Sequence, residues 1–311
     1  MPLRTIKSDG LLLLTAIIWG FAFVAQRVGM DYVGPYTFNG LRFALGCLVL
    51  VPFIAYQHRD GEPREDVPHG RLPKTLIAAG ILAGTALFTA ASLQQVGLLY
   101  TTAGKAGFIT GLYVVIVPIL GLVLRQKTHA GTWIGALLAA SGLYFLSITE
   151  QLTIGYGDLL QVAGAFVWAA HVLIIGWFSP RVDTLKLAFI QFAACSVLSM
   201  ATALVFEEIH LSGILQAGVP ILYGGALSVG IAYTLQVVAQ RSAHPAHAAI
   251  LLSLEAVFAA LGGWIILNES LTLRGLSGCG LMLAGMLLSQ LWELWLRPRK
   301  MMLISAKQPS R

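Results

Sequence analysis

Two groups of opposite charge stand inside segments otherwise made of apolar residues. Glu255 lies near the middle of the stretch from Ala243 to Arg274, whose roughly twenty apolar residues suffice to cross a ~30 Å hydrocarbon core. An ionised carboxylate at that depth costs roughly 2.5 kcal/mol or more unless it meets a polar cavity or a partner, which makes Glu255 a candidate functional group. The competing reading is a Glu held only by structural hydrogen bonds from neighbouring helices. Lys105 sits one turn into another apolar run, within Ala103-Gly104-Lys105-Ala106-Gly107. Its small neighbours let a second helix approach closely. The alternative for Lys105 is snorkelling to the outer interface. Together the two offer both signs of charge, which a zwitterion such as an amino acid requires.

Aromatic and amide side chains fall on helical stripes around them. Trp19, Phe23 and Gln26 share one face, Gln161, Trp168 and His171 fall close to one stripe, and Tyr233, Gln236 and Gln240 follow a third. Each stripe can line a pathway or simply pack helix against helix. Arg42 is deeper than a rim residue and is placed where it can face the cavity, but a pairing with Asp31 or a backbone carbonyl is the favoured expectation for it. His244 and His247 have a spacing that suits a metal, but without a third ligand nearby they read as a helix start and an interface. The substrate-binding candidates are therefore Trp19, Lys105, Trp168, His171, Tyr233, Gln236 and Glu255. No catalytic set, metal or cofactor is expected, since HExxH, Walker and G-x-S-x-G patterns are absent from the sequence.

The elements that must hold these groups are transmembrane helices. Hydrophobic residues make up 57% of the chain and charged ones 11%, against about 25% charged in soluble domains. Expected partners are the lipid bilayer and a small-molecule substrate, with a proton as candidate coupling ion and no nucleic acid. Apolar runs between polar or Gly/Pro breaks give ten spans, at 9–29, 35–56, 74–97, 102–124, 130–148, 156–178, 184–206, 217–239, 245–267 and 273–296. The longest connection runs from Gln57 to Pro73, and no soluble domain is expected. The first span lacks a small-residue cleavage site and reads as uncleaved. Cys47, Cys195 and Cys279 fall inside apolar segments and read as small core residues. With the N-terminus inside, all Lys and Arg residues except Arg27, Arg42, Lys105 and Arg274 fall on inside segments, so the positive-inside rule sets both termini in the cytoplasm.

The two halves echo one another. At an offset of 149, Ala16, Trp19 and Arg42-Phe43-Ala44 align with Ala165, Trp168 and Gln191-Phe192-Ala193. At 142, Leu93-Gln94 and Lys105-Ala106 align with Leu235-Gln236 and His247-Ala248, and at 143 Gly135 and Gly142 meet Gly278 and Gly285. The fold expected is thus an all-α polytopic membrane protein of ten transmembrane helices arranged as two inverted five-helix repeats, 1–150 and 151–297, followed by a cytoplasmic tail at 298–311. An odd number of spans per repeat turns the second copy upside down, the plan of secondary transporters.

These features resemble the EamA-type, ten-span members of the drug/metabolite transporter superfamily. The resemblance rests on Trp19-Gly20, on Ser253-Leu254-Glu255-Ala256-Val257-Phe258-Ala259-Ala260, on Leu267-Asn268-Glu269-Ser270-Leu271-Thr272, and on Gly275, Gly278 and Gly285. In the first repeat Val117-Pro118 is retained, but Arg125-Gln126-Lys127-Thr128 stands where members usually carry a Glu. Among members the chain most resembles YddG-type amino-acid exporters of bacterial inner membranes. The resemblance implies alternating-access export of amino acids or related small metabolites. A nucleotide-sugar or sugar-phosphate exchanger would call for clustered cations in the cavity, and a receptor or scaffold would not need an inverted repeat.

Overall fold

The computed structural model describes residues 3–59, 73–126, 128–147, 155–270 and 272–305, and among them there is no strand. The first half comprises α1 (Leu3–Gly29), α2 (Pro35–Arg59), α3 (Pro73–Gly97), α4 (Ala103–Thr110), α5 (Tyr113–Val123) and α6 (Ala130–Ser147). The second comprises α7 (Tyr156–Phe178), α8 (Thr184–Phe206), α9 (Leu211–Gln216), α10 (Gly218–Leu222), a π-helix (Tyr223–Tyr233), α11 (Thr234–Gln240), α12 (Pro245–Leu252), α13 (Glu255–Leu267) and α14 (Leu273–Ser305). Helix throughout is what hydrocarbon imposes, because each backbone N–H and C=O must find its partner within the chain.

Eight stretches among the described residues are long and apolar enough to cross a membrane. Two shorter apolar helices, Ala130–Phe145 and Leu273–Ser289, stand where full spans are expected at 130–148 and 273–296. Helix α14 continues past 296 to Ser305, and Leu291-Trp292 and Leu294-Trp295-Leu296 carry its apolar sequence beyond Ser289. The connection at 60–72, Lys127, Leu271 and the tail beyond 305 lie outside the described residues.

Three expected spans are not single α-helices. The fourth breaks at Gly111-Leu112, between α4 and α5, and the ninth at Ser253-Leu254, between α12 and α13. Both breaks tighten into three-residue hydrogen bonds, Leu112 N to Ile109 O (3.1 Å) and Val114 N to Gly111 O (3.0 Å) in one, Leu254 N to Leu251 O (3.3 Å) and Ala256 N to Ser253 O (3.1 Å) in the other. Such mid-span turns commonly mark hinges. The eighth span contains the π-helix, with Gly224, Gly225 and Gly230 at its contacts with α2.

Glycine and alanine set the packing distances. In α6 and α14 a Cβ on Gly142 would lie 2.4 Å from Gly278 O, and one on Gly135 2.7 Å from Gly285 O, so the two helices run antiparallel in near-backbone contact. In α2 and α8, Ser196 Oγ donates to Gly40 O (2.8 Å) while Cys47 Sγ donates to Phe189 O (3.7 Å), again antiparallel. With no hydrophobic drive between helices in lipid, this close approach supplies much of the association energy. Gly142→Ala, which forces a backbone to move, is expected to cost about 1–3 kcal/mol. Gly280→Ala, with nothing within 4 Å of the added carbon, is expected to cost nothing. Melting temperatures of the two purified variants in detergent check the contrast.

Candidate functional site: a closed central cavity

Where α1 crosses the π-helix, the side chains of both halves close around a cavity with about 20 Å³ of free space, room for about one water. Trp19, Trp168, Tyr233, Gln236 and Glu255 all face it, as do the expected stripe members Phe23 and Gln26. Tyr233 is the hub of its aromatic wall. Its ring centroid lies 4.4 Å from Trp19 and 6.1 Å from Trp168, the latter pair nearly parallel at 24°. Phe43 (6.0 Å) and Phe192 (6.1 Å) back it from behind. Both Trp–Trp and Phe–Phe sets are pairs related by the offset of 149, so two repeat-matched couples converge on a residue whose counterpart in the first half is the small Ala91.

Polar bonds within and between the halves hold the wall in place. Trp19 Nε1 donates to Ser228 O (3.2 Å), a carbonyl of the π-helix, and Thr15 Oγ1 donates to Ala232 O (3.2 Å). Across the cavity Trp168 Nε1 donates to Gln94 Oε1 (3.1 Å), and Gln94 Nε2 donates to Gln26 Oε1 (3.0 Å). Gln161 Nε2 donates to Gln94 O (2.9 Å) from outside the lining.

Glu255 is the first residue of α13, immediately after the mid-span break, and is buried. Beside its carboxylate is the hydroxyl of Tyr113, the first residue of α5, short of a well-formed hydrogen bond. The offset of 142 relates these two residues, so the same broken-helix position supplies an acid from one half and a phenol from the other.

Two expected site residues stand elsewhere. Lys105 is not in the lining; it occupies the first turn of α4, and its Nζ lies 2.6 Å from Asp158 Oδ2 on α7. The first turn is too far toward the helix end to share a level with Glu255. His171 lies behind the wall, its Nε2 3.0 Å from Gln191 Oε1 and its ring edge-on to Trp168 and Tyr233. Three residues along a helix leave it about 60° away from Trp168, enough to turn it out of the lining. His244 caps α12, its Nδ1 accepting from Ala246 N (3.3 Å), and no group of three metal-ligating side chains occurs among the described residues.

Arg42 corrects the sequence expectation in the other direction. Asp31 is paired with Arg27 (3.0 Å), while Arg42 is only 1% exposed, faces the cavity, and donates from Nε to Asn39 Oδ1 (2.9 Å). The signal for it was the offset of 149, which sets a charge in one half against Gln191 in the other.

A helical membrane protein that encloses aromatic, amide and charged side chains at its centre has the build of a small-molecule transporter. The chain belongs to the EamA-like transporter family, which it matches over residues 6–148 and again over 155–291. It is 33% identical over 274 residues to an uncharacterized transporter of Archaeoglobus fulgidus, an alignment covering 86% of this chain and 81% of the relative. It is 27% identical over 168 residues to a probable amino-acid metabolite efflux pump of Escherichia coli, covering 52% of each. A crystal structure shares its fold with a TM-score of 0.72 at 21% identity, covering 92% of this chain and 97% of the other. The protein is thus a multi-pass membrane transporter.

The repeat-related glutamines give a sharp test of the site. Gln94 satisfies Trp168 and Gln26, so Gln94→Leu should lower the unfolding free energy by about 1–3 kcal/mol. Gln236 has neither amide atom bonded among the described residues, and Gln236→Leu should leave stability unchanged or raised. Thermal unfolding in one detergent compares the two directly.

Proposed function

We propose that the protein is a secondary carrier that exports amino acids or related small metabolites by alternating access, with the central cavity as its substrate site. The observation that carries this is the closed cavity itself: its water-sized space lies between the halves and is walled by residues from both. A substrate larger than water can enter only if helices part, and the breaks at 111–112 and 253–254 provide bending points immediately before Tyr113 and Glu255.

The inverted-repeat plan, ten spans in units 1–150 and 151–297, draws support from contacts that survive exchange of the halves. Applying the offset of 149 turns the Gly40–Ser196 contact into Phe189–Cys47, which is the other α2–α8 bond. Applying 143 turns Gly135–Gly285 into Gly278–Gly142. In each case equivalent helices run antiparallel, as a pseudo-two-fold axis in the membrane plane requires. Both termini on the cytoplasmic side of an inner membrane is the arrangement that the Lys and Arg distribution supports. The amino-acid reading is supported by opposite charges in one cavity and by the efflux pump among the relatives. A nucleotide-sugar or sugar-phosphate substrate fits less well, because Arg42 is the cavity's single Lys or Arg among the described residues.

Uptake and counterflow of the twenty radiolabelled amino acids into proteoliposomes test the reading. Specific, saturable flux of at least one supports it, and none against a matched control liposome contradicts it. Trp19→Ala and Trp168→Ala should each raise KM about tenfold while the protein remains folded, because the lost ring is a wall of the site. If both transport normally, the two tryptophans are packing residues. Glu255→Gln separates two roles: loss of affinity with the pH response intact marks substrate binding, whereas retained exchange without acceleration by a pH gradient marks proton coupling. Substrate binding is the expected result.

A further inference from the structure

We propose, building on the carrier reading, that Arg42 and Gln236 form the subsite for a substrate carboxylate, leaving Glu255 to receive the ammonium of the same molecule. Arg42 Nη2 faces no hydrogen-bond partner among the described residues, and the same holds for both amide atoms of Gln236, which is fully buried. Both side chains line the cavity. In a site surrounded by hydrocarbon such atoms are expensive to leave unmet, and native structures keep few of them. The frame around Arg42 fixes its plane: Nε is tied to Asn39, and the guanidinium carbon lies 4.9 Å from the Phe43 ring centre and 5.8 Å from that of Phe38. A planar fork held this way matches a carboxylate in two-pronged fashion, which an ammonium cannot do. The carboxylate of Glu255 in the same cavity opposes a doubly charged anion and favours a zwitterion.

The test compares three probes against the reconstituted protein: L-leucine, its amine without the carboxyl group, and its acid without the amino group, each as a competitor of amino-acid counterflow. Wild type should favour leucine. Arg42→Lys, which keeps the charge and loses the fork, should weaken leucine about tenfold or more and leave the amine unchanged. Gln236→Leu should act in the same direction, and it carries the test if Arg42→Lys does not fold, since it removes only unpartnered atoms. Glu255→Gln should weaken leucine and spare the acid. Equal weakening of all three probes by Arg42→Lys or Gln236→Leu, or no weakening at all, overturns the subsite while leaving the carrier reading standing. Absence of any amino-acid flux in wild type removes the carrier reading itself, and the subsite with it.

A different observation carries a second inference. Lys105 Nζ lies 2.6 Å from Asp158 Oδ2, and His247 Nε2 lies 2.9 Å from Asp9 Oδ1. The offset of 142 relates Lys105 to His247, and the offset of 149 relates Asp158 to Asp9. Exchange of the halves therefore converts one pair into the other. Each pair ties the first turns of a broken span, α4 or α12, to the start of the helix that carries a cavity tryptophan, α7 or α1. Each is also partly sheltered, with side-chain exposures of 32% and 6% in one and 19% and 11% in the other. We infer that the two pairs are latches at opposite mouths of the pathway, Lys105–Asp158 on the outer side and His247–Asp9 on the cytoplasmic side, and that transport opens them in turn. Both are made in this structure, in which the residues that line the cavity are buried. The outer latch is reinforced by Thr101 Oγ1 to Asp158 Oδ1 (3.1 Å), and Ser289 Oγ stands 3.5 Å from His247 Nδ1 at the inner one.

A single reporter, Ala22→Cys in the cavity wall of a protein otherwise free of cysteine, measures the effect. Oriented vesicles are exposed from one face at a time to a charged, impermeant thiol reagent. Asp158→Asn should speed labelling from the outer face roughly two- to five-fold and Asp9→Asn from the inner face by a similar factor, the shift that loss of a partly exposed side-chain contact in one state produces. Labelling raised equally from both faces by either variant, or unchanged in both, contradicts the latches. Should either Asn variant fail to fold, Lys105→Cys with Asp158→Cys serves instead: oxidation should block outer labelling and transport, reduction should restore both, and unaltered transport after complete cross-linking contradicts the proposal.

Discussion

Polar groups carried into hydrocarbon are costly to leave unmet, and a set of bonds that meet them runs between the two halves. Trp19 to Ser228, Trp168 to Gln94 and Ser196 to Gly40 all cross that divide, as does Tyr223 Oη to Ile18 O at 3.0 Å. Helix starts are met the same way. Glu207 accepts from Tyr36 N and Thr37 N at 2.8 Å each, and Glu269 from Ala103 N (3.1 Å) and Gly104 N (3.2 Å). The halves are joined by polar links of modest individual strength, on the order of 0.6 kcal/mol each for interhelical bonds in a bilayer. Links of that size hold a closed state without making it permanent.

The frame is repeated, but the lining is not. Equivalent positions carry Glu255 against Tyr113, Arg42 against Gln191, and an unpartnered Gln236 against a fully engaged Gln94. The π-helix adds a further asymmetry, bringing Tyr233 and the Ser228 carbonyl to the centre while α3 remains an ordinary helix. On the proposed carrier reading, a repeated frame would supply two arrangements of similar energy, and an unequal lining the chemistry that distinguishes one small molecule from another.

Much of this was legible in the residues. Apolar runs located the helices, helical spacing turned Trp19, Phe23 and Gln26 to one face, and the depth of Glu255 marked the cavity. The misplaced residues share a physical cause. Lys105 stands one turn into its span, as its place in the apolar run indicates, but hydropathy does not report which side chains of neighbouring helices share its level, so its pairing with Asp158 is not legible there. Nor does hydropathy register the tightened turns at 111–112 and 253–254, which arise from local hydrogen bonding and not from composition. The repeat offsets also relate Asp9 to Asp158 and Tyr113 to Glu255, so the equivalence of these positions is legible in the sequence, while the contacts they make depend on helix packing.

Alternation of the two mouths is the centre of this account, and distances across them in the working protein test it most directly. Spin labels at Leu99 and Tyr156 span one mouth and labels at Ile6 and Ser242 span the other, all four positions being exposed. Pulsed electron–electron resonance in lipid nanodiscs, with and without a transported amino acid, reports each distance distribution. The account predicts a short and a long population at each mouth, with substrate shifting the two in opposite directions. A single unchanging distance at either mouth, or lengthening at both together, would contradict it.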